Sequence, residues 1–165
     1  MLKTALSDFE KILGITFKDK QLLIESLTHR SYLNEDTSAD ASNERLEFLG
    51  DSVLSLLTST ELFKRFKNYP EGKLTNLRST LVRTQTLGKI SLKLGYGTFL
   101  RISKGEERSG GRDNQSILAD TFEAVLGAIY LDQGLKEAEK FLIKHLFSDI
   151  DQLINDKANF DYKSK

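Results

Sequence analysis

The chain has no cysteine, which excludes a disulfide framework and a thiolate zinc site and points to a reducing, cytoplasmic setting. Histidine is nearly as scarce, with only His29 and His145, too few for most zinc or copper centres. No apolar run reaches the roughly 18 residues that a membrane span requires, and the N-terminus lacks the apolar block of a secretion signal. A soluble cytoplasmic protein with no membrane partner is expected. Proline occurs once, at Pro70. There is no internal repeat and no low-complexity tract, and a chain of 165 residues suits one domain with one core.

Net charge is also lacking, yet its zero sum hides an uneven distribution. Residues 64–112 hold 12 Lys and Arg against 3 Glu, a balance of +9, while the flanks carry −5 before and −4 after. A basic middle between acidic ends can bind a polyanion and keep negative charge for another purpose, although solvated helix faces give the same count.

Apolar residues recur mostly at helical spacing, which makes the chain all-α. Helices are expected near 4–13, 19–29, 43–67, 73–94, 115–131 and 135–156. Asn43 is placed as the N-cap of the third, and Tyr69-Pro70-Glu71-Gly72 stops it. Residues 103–116 combine glycine, serine and charge and read as an exposed, mobile loop. Gly134, after Asp132-Gln133, suits a helix C-cap. The polar tail from 158 reads as a linker.

The third helix, which begins NERLEFLGDSVL at residue 43, carries Glu44, Glu47 and Asp51 within an arc of about 60°. Leu46, Leu49, Val53 and Leu57 occupy the opposite side, so this helix alone is an ordinary amphipathic element with its acids in water. The next acidic helix differs. In QSILADTFEAVLGAIYL, residues 115–131, Asp120 and Glu123 are the only charges, and apolar residues surround the axis. Burying ionised groups costs several kcal/mol each unless a proton, an arginine or a metal ion neutralises them. A cation is the option that uses all the acids. Should the two helices pack with these faces converging, Glu47, Asp51, Asp120 and Glu123 would supply four hard oxygen ligands suited to Mg²⁺. Gly50 and Gly127 lie mid-helix near those faces, where a close backbone approach would offset their cost of up to ~1 kcal/mol relative to alanine. Acidic pairs at this spacing are common, and the spacing leaves the three forms of neutralisation open.

NERLEFLGDSVL, followed some seventy residues later by SILADTFEAVLGAIYLDQG, resembles the two signature segments of ribonuclease III. The likeness extends to LTHRSY at 27–32 and YPEGKLT at 69–75 and covers nearly the whole chain. It implies an all-helical, homodimeric endonuclease domain that hydrolyses double-stranded RNA with Mg²⁺, for which Mn²⁺ can substitute. The ends left would be 5′-phosphate and 3′-hydroxyl with two-nucleotide 3′ overhangs, in rRNA and mRNA maturation. Carried over by position, the metal ligands are Glu47, Asp51, Asp120 and Glu123, with Glu44 and Glu71 around the cleavage centre in less direct roles. Phe48 matches the aromatic that enters a pocket on the partner subunit. It lies beside the acids, away from the core stripe.

In that setting Lys73, Arg78, Arg83, Lys104, Arg108 and Arg112 are candidate phosphate contacts, since A-form RNA is read by shape through phosphates and 2′-hydroxyls. His29 reads as a structural histidine in a packed turn and His145 as an exposed one. The expected organisation is an endonuclease domain over 1–157, with 158–165 as a linker or the start of a double-stranded-RNA-binding domain. Two rivals remain. One is an all-α Mg²⁺-dependent nucleotide pyrophosphohydrolase; the other is a non-catalytic RNA-binding relative of the same fold.

Overall fold

A computed structural model describes residues 2–39 and 41–163, and among these the regular structure is helical. The helices are α1 (Leu2–Leu13), α2 (Lys20–Ser26), α3 (Glu44–Arg65), α4 (Glu71–Val82), α5 (Thr84–Lys93), α6 (Lys104–Arg108), α7 (Gln115–Gln133), α8 (Leu135–His145) and α9 (Ile150–Lys163). Short 3-10 turns join several of them. One isolated parallel bridge, Thr28 to Arg101, is the only extended pairing among the described residues, and no helix among them is long and apolar enough to cross a membrane.

The core is organised around α7. Eleven of its residues, from Ile117 to Ile129, are buried, so this helix is enclosed over most of its circumference, open only along the edge that carries Asp120 and Glu123. Its broadest contact is with α3, followed by α5. From α3 come Leu46, Val53, Leu54, Leu57 and Leu62; Leu49 of the expected stripe is only half-buried. The α3–α7 contact is backbone to backbone. A Cβ on Gly50 would lie 1.7 Å from the Glu123 carbonyl oxygen, and one on Gly127 would lie 2.4 Å from that of Leu46. Gly134, with φ of +92°, ends α7 in the left-handed region where glycine is favoured.

Several expectations need correction. The helix expected over 73–94 is two helices, because Arg83 is extended (ψ 155°). Thr86 Oγ1 donates to the Thr80 carbonyl at 2.7 Å and accepts from Arg83 Nε at 3.4 Å; side chains that bond the backbone in this way compete with helix continuation. The helix expected over 135–156 breaks at Leu146, where burial of Leu146, Phe147 and Ile150 turns the chain into α9. Helix α9 runs on through Lys163 into the stretch 158–165, and Ser164 and Lys165 lie outside the described residues; this bears on local conformation and leaves the expected linker or domain start as it stood. Asn43 holds the N-cap position of α3 without capping it; buried, its Nδ2 donates to the Ser26 carbonyl instead.

Residues 103–116 are not a mobile loop. Ser103 caps α6 by accepting from Glu106 N–H at 3.1 Å. Arg112 donates to the carbonyls of Gly97 and Leu100 at 2.8 and 2.9 Å and to Glu107 at 2.6 Å. A guanidinium that satisfies two backbone carbonyls fixes the segment despite its polar composition. On the opposite strand of chain, His29 N–H donates to the Arg101 carbonyl and Arg101 N–H to that of Leu27, at 3.0 and 2.8 Å. That pairing ends α2 early and brings the His29 turn against α6.

Candidate metal centre

The α3–α7 crossing sets the acids. Because the glycine contact brings the two backbones together at residues 50 and 127, side chains one turn away on either helix must meet at its edge. Glu47, Asp120 and Glu123 each present a carboxylate oxygen, all lying within 4.8 Å of one another. Glu47 and Glu123 are half-buried, whereas Asp120 and Asp51 retain solvent access. Asp51 stands outside that tight group and acts on it through its charge, most strongly on Glu123.

The electrostatics follow from crowding. Burial first, then the charge of Asp120 and a hydrogen bond to it, push the Glu47 carboxyl up to about 7. Burial, followed by the charges of Asp51, Glu47 and Asp120, pushes Glu123 up to about 8. Asp120 is also raised by burial, against the opposing pull of the Glu47 hydrogen bond and of His29. None of the four acids takes part in an ion pair among the described residues. Arginine neutralisation is thereby removed, leaving protons or a cation.

The donor set fits a hard divalent cation. The oxygens are carboxylate and no cysteine thiolate is available. An octahedral Mg²⁺ shell with bonds near 2.1 Å spaces its oxygens by about 3 Å for neighbours and about 4 Å across the ion. A trio already within 4.8 Å needs only small rotamer adjustments to reach that spacing.

A cavity of about 600 Å³ opens beside the trio, lined by His29, Arg30, Ser31, Asn34, Asn43, Glu44, Glu47, Glu106, Asn114, Ile117 and Asp120. Glu44 thus joins the site, with Ser42 Oγ donating to it at 3.1 Å. Glu106 also joins, although it was not among the acids singled out from the sequence. Its signal is the Ser103-Lys104-Gly105-Glu106 spacing of a capping box, of which only the Ser103 half forms, since Ser103 N–H donates to Ser31 Oγ instead. His29 faces the same cavity. Burial lowers its pKa, and Glu106, Glu44 and Asp120 pull it back up against Arg30.

Glu71 is not brought to this cavity. It opens α4, accepts from Thr75 Oγ1 at 2.7 Å, and lines a separate hollow with Ser59, Leu62, Phe63, Leu74, Thr75 and Arg78. The basic residues form no single face. Lys73 sits 3.9 Å from the Tyr69 ring centre, Arg78 donates to Ser59 at 2.9 Å, and Arg83 braces the α4–α5 junction. Lys104 and Arg108 are exposed on α6 beside the acidic cavity, whereas Arg112 is turned inward. Phe48 is 79% exposed and shares one side of α3 with Leu56 and Phe63, themselves 54% and 74% exposed. His145, expected in solvent, is instead half-buried against the Phe141 ring at 4.7 Å, with Nε2 enclosed and unpartnered.

An all-helical fold that converges hard carboxylates on one open cavity defines a candidate metal-dependent hydrolase. The comparisons narrow the class. The Ribonuclease-III-like family matches residues 19–150. Ribonuclease 3 of Treponema denticola is 45% identical over 162 residues, covering 98% of this chain and 66% of that protein. The Caldanaerobacter subterraneus enzyme is 48% identical over 161 residues, covering 97% and 70%. Among solved structures, the nuclease domain of ribonuclease III from Campylobacter jejuni superposes with a TM-score of 0.77 at 43% identity, covering 82% of this chain and 92% of that one. Dicer from Pichia stipitis superposes at 0.62 with 32% identity, covering 87% and 60%. The chain belongs to the ribonuclease III family. It spans about two thirds of the length of the curated relatives it matches.

Proposed function

We propose that this chain is the nuclease domain of a cytoplasmic ribonuclease III that, as a homodimer with Mg²⁺, hydrolyses double-stranded RNA to 5′-phosphate and 3′-hydroxyl ends with two-nucleotide 3′ overhangs, in rRNA and mRNA maturation. The observation that carries the reading is the Glu47, Asp120 and Glu123 trio within 4.8 Å, in a family member. Glu47, Asp51, Asp120 and Glu123 would hold the ion. When bound, Mg²⁺ supplies an activated water and charge stabilisation for the phosphorane and the leaving 3′ oxygen. The chain's own part is to place four oxygens on two helices locked by glycine contact. Lys104 and Arg108 would meet phosphates beside the cavity, and Lys73, Arg78 and Arg83 would do so more remotely; the inward bonds of Arg112 fit a supporting role better. The stretch 158–165 belongs to this proposal as a junction towards a further domain.

The dimer has support in the exposed side of α3. Positions 48 and 63 are symmetric about the midpoint between Ser55 and Leu56, so two antiparallel copies of α3 crossing there would set Phe48 of one protomer against Phe63 of its partner. Phe63 lines the hollow that also contains Glu71, of about 240 Å³. Seating Phe48 there would bring Glu71 beside the neighbouring Glu47 of the other protomer. That arrangement gives Glu71 a place near the cleavage centre that its own chain does not provide.

The test is incubation of the purified protein with a long RNA duplex and Mg²⁺, followed by sequencing of the ends. Staggered cuts with the stated termini are expected. Release of pyrophosphate from free nucleotides with the duplex intact would favour a pyrophosphohydrolase, and binding without cutting a non-catalytic relative.

A further inference from the structure

Four carboxylates line the cavity beside the metal centre, those of Glu44, Glu47, Glu106 and Asp120, and one permanent cation shares the lining with them, Arg30. Arg30 makes an ion pair with none of the four. Its side chain is exposed and enters no hydrogen bond among the described residues. The other polar side chains of the lining carry no permanent charge, and most are committed. Asn43 Nδ2 donates to the Ser26 carbonyl, and Asn114 Oδ1 accepts from Ile117 N–H at 3.0 Å. His29 Nδ1 accepts from Ser31 N–H at 3.2 Å, with the Ser31 hydroxyl 2.8 Å from the same nitrogen. Asn34 is exposed.

The base of Arg30 is fixed although its head is free. It opens the 3-10 turn Arg30–Asn34. His29, before it, donates its N–H to the Arg101 carbonyl at 3.0 Å, and Ser31 Oγ, after it, accepts from Ser103 N–H at 3.0 Å. Both neighbours are thus tied to the segment 101–103, and the turn holds Arg30 at the cavity wall.

An RNA strand in this cavity meets a repulsion that a metal ion offsets only in part. A bound ion takes the phosphate that is cut, but the strand carries a negative charge at every nucleotide. A neighbouring phosphate faces Glu44 and Glu106 as well, and one divalent ion does not balance four carboxylates. A cation set among the acids removes that repulsion, and a planar guanidinium matches two phosphate oxygens at once.

We propose that Arg30 binds substrate: its guanidinium holds the backbone phosphate next to the one at the metal centre, and so carries the cut strand across an otherwise acidic cavity. The proposal rests on the duplex-RNA reading above. Phosphate contacts carry no sequence information, so Arg30 fixes the position of the strand and leaves the choice of sequence to other groups. Lys104 and Arg108 stand outside the lining, on α6, and meet phosphates farther along.

A short duplex with one mapped cut, its phosphates replaced one at a time by uncharged methylphosphonate, tests this in single turnover with Mg²⁺. In the native protein, replacement at one of the two phosphates flanking the cut should lower kcat/KM about tenfold or more. Arg30→Gln should show a similar loss on the unmodified duplex and no further loss at that phosphate, with the native response kept elsewhere. Indifference of the native protein at both flanking phosphates, or an identical profile in the variant, would overturn the proposal. Equilibrium Mn²⁺ binding should stay within about threefold of native in Arg30→Gln; a larger loss would make Arg30 a structural part and overturn it too. Native protein that leaves the duplex uncut would fail the duplex-RNA reading itself, whereas cutting with a profile indifferent to Arg30 fails this proposal alone.

Discussion

Gly50 and Gly127 are reciprocal contacts: a Cβ added to either would stand 3.1 Å from the backbone nitrogen of the other, and closer still to a carbonyl of the facing helix. The two residues are the closest point of α3 and α7, and the carboxylates hang from the turns on either side. Replacement of either by alanine forces the backbones apart, since a carbonyl cannot rotate away as a side chain could. Gly50→Ala is expected to destabilise by on the order of 3 kcal/mol and to weaken metal binding as well. Denaturant unfolding and Mn²⁺ titration of the same sample check both; a native-like stability would contradict the contact.

Removing a ligand oxygen should act on chemistry and leave folding intact. Asp51→Asn and Glu123→Gln preserve shape while deleting charge, and a bound metal supplies several kcal/mol of transition-state stabilisation. A fall in kcat of about 100-fold or more is expected at saturating Mg²⁺. Because both substitutions relieve repulsion, melting temperature in chelator should hold or rise. Undiminished single-turnover cutting by either variant would remove it from the ligand set.

The raised carboxyls give a pH signature. Glu47 and Glu123 titrate at about 7 and about 8 in the folded chain, above the ordinary carboxyl value of about 4.3. A group of this kind favours the folded state while protonated, and the contribution is lost as pH rises through the folded values. In chelator, stability should therefore decline from about pH 5 to about pH 9. Magnesium should reverse the decline and release protons, a release that calorimetry in buffers of different ionisation enthalpy measures. Metal binding without proton release at neutral pH would refute the assignment.

His145 has the opposite sign. Burial lowers its pKa, with a backbone bond to Leu13 opposing and the charge of Lys144 adding to the effect. Protonation is therefore harder in the folded chain, and stability falls as pH drops below the unfolded value of about 6.5. His145→Phe, which keeps the ring against Phe141, should flatten the acid limb of the stability profile. A limb unchanged by the substitution would assign the acid loss to other groups.

Phe48 exposes more of its surface than any other large apolar side chain among the described residues. Seated in a partner's hollow it would be an interface anchor, worth about 2 kcal/mol or more per copy. Phe48→Ala should then weaken dimerisation by roughly 30-fold per copy. Light scattering across a dilution series gives the answer, and a mass that does not change with the substitution would move the interface elsewhere.

The elements most visible in the sequence are those with one dominant physical cause. The run from Ile117 to Ile129 is apolar except at Asp120 and Glu123, and it is enclosed except along the edge that those two residues occupy. Gly50 and Gly127 interrupt good helix formers for a steric reason that the facing carbonyls supply. Less visible are features decided between distant residues. The break at Arg83 depends on Thr86 reaching back to Thr80, and local periodicity runs straight through it. Glu106 was concealed because glycine and charge suggest a loop, whereas Arg112 bonding to Gly97 and Leu100 makes the segment rigid. Spacing could not show that Glu71 lies in a hollow apart from the other acids, since one chain does not display what a second copy would bring together.

The enclosure of α7 also bears on how the protein fails. Local opening exposes frayed ends and thinly covered segments long before it reaches an element packed over most of its circumference. Asp120 and Glu123 are carried by that innermost element, so partial unfolding at α1 or α9 would leave them in register. Amide exchange should be slowest between Ile117 and Ile129, and heat inactivation should coincide with the global transition. A site carried in this way should be lost only with the fold as a whole, so that partial opening leaves its carboxylates together.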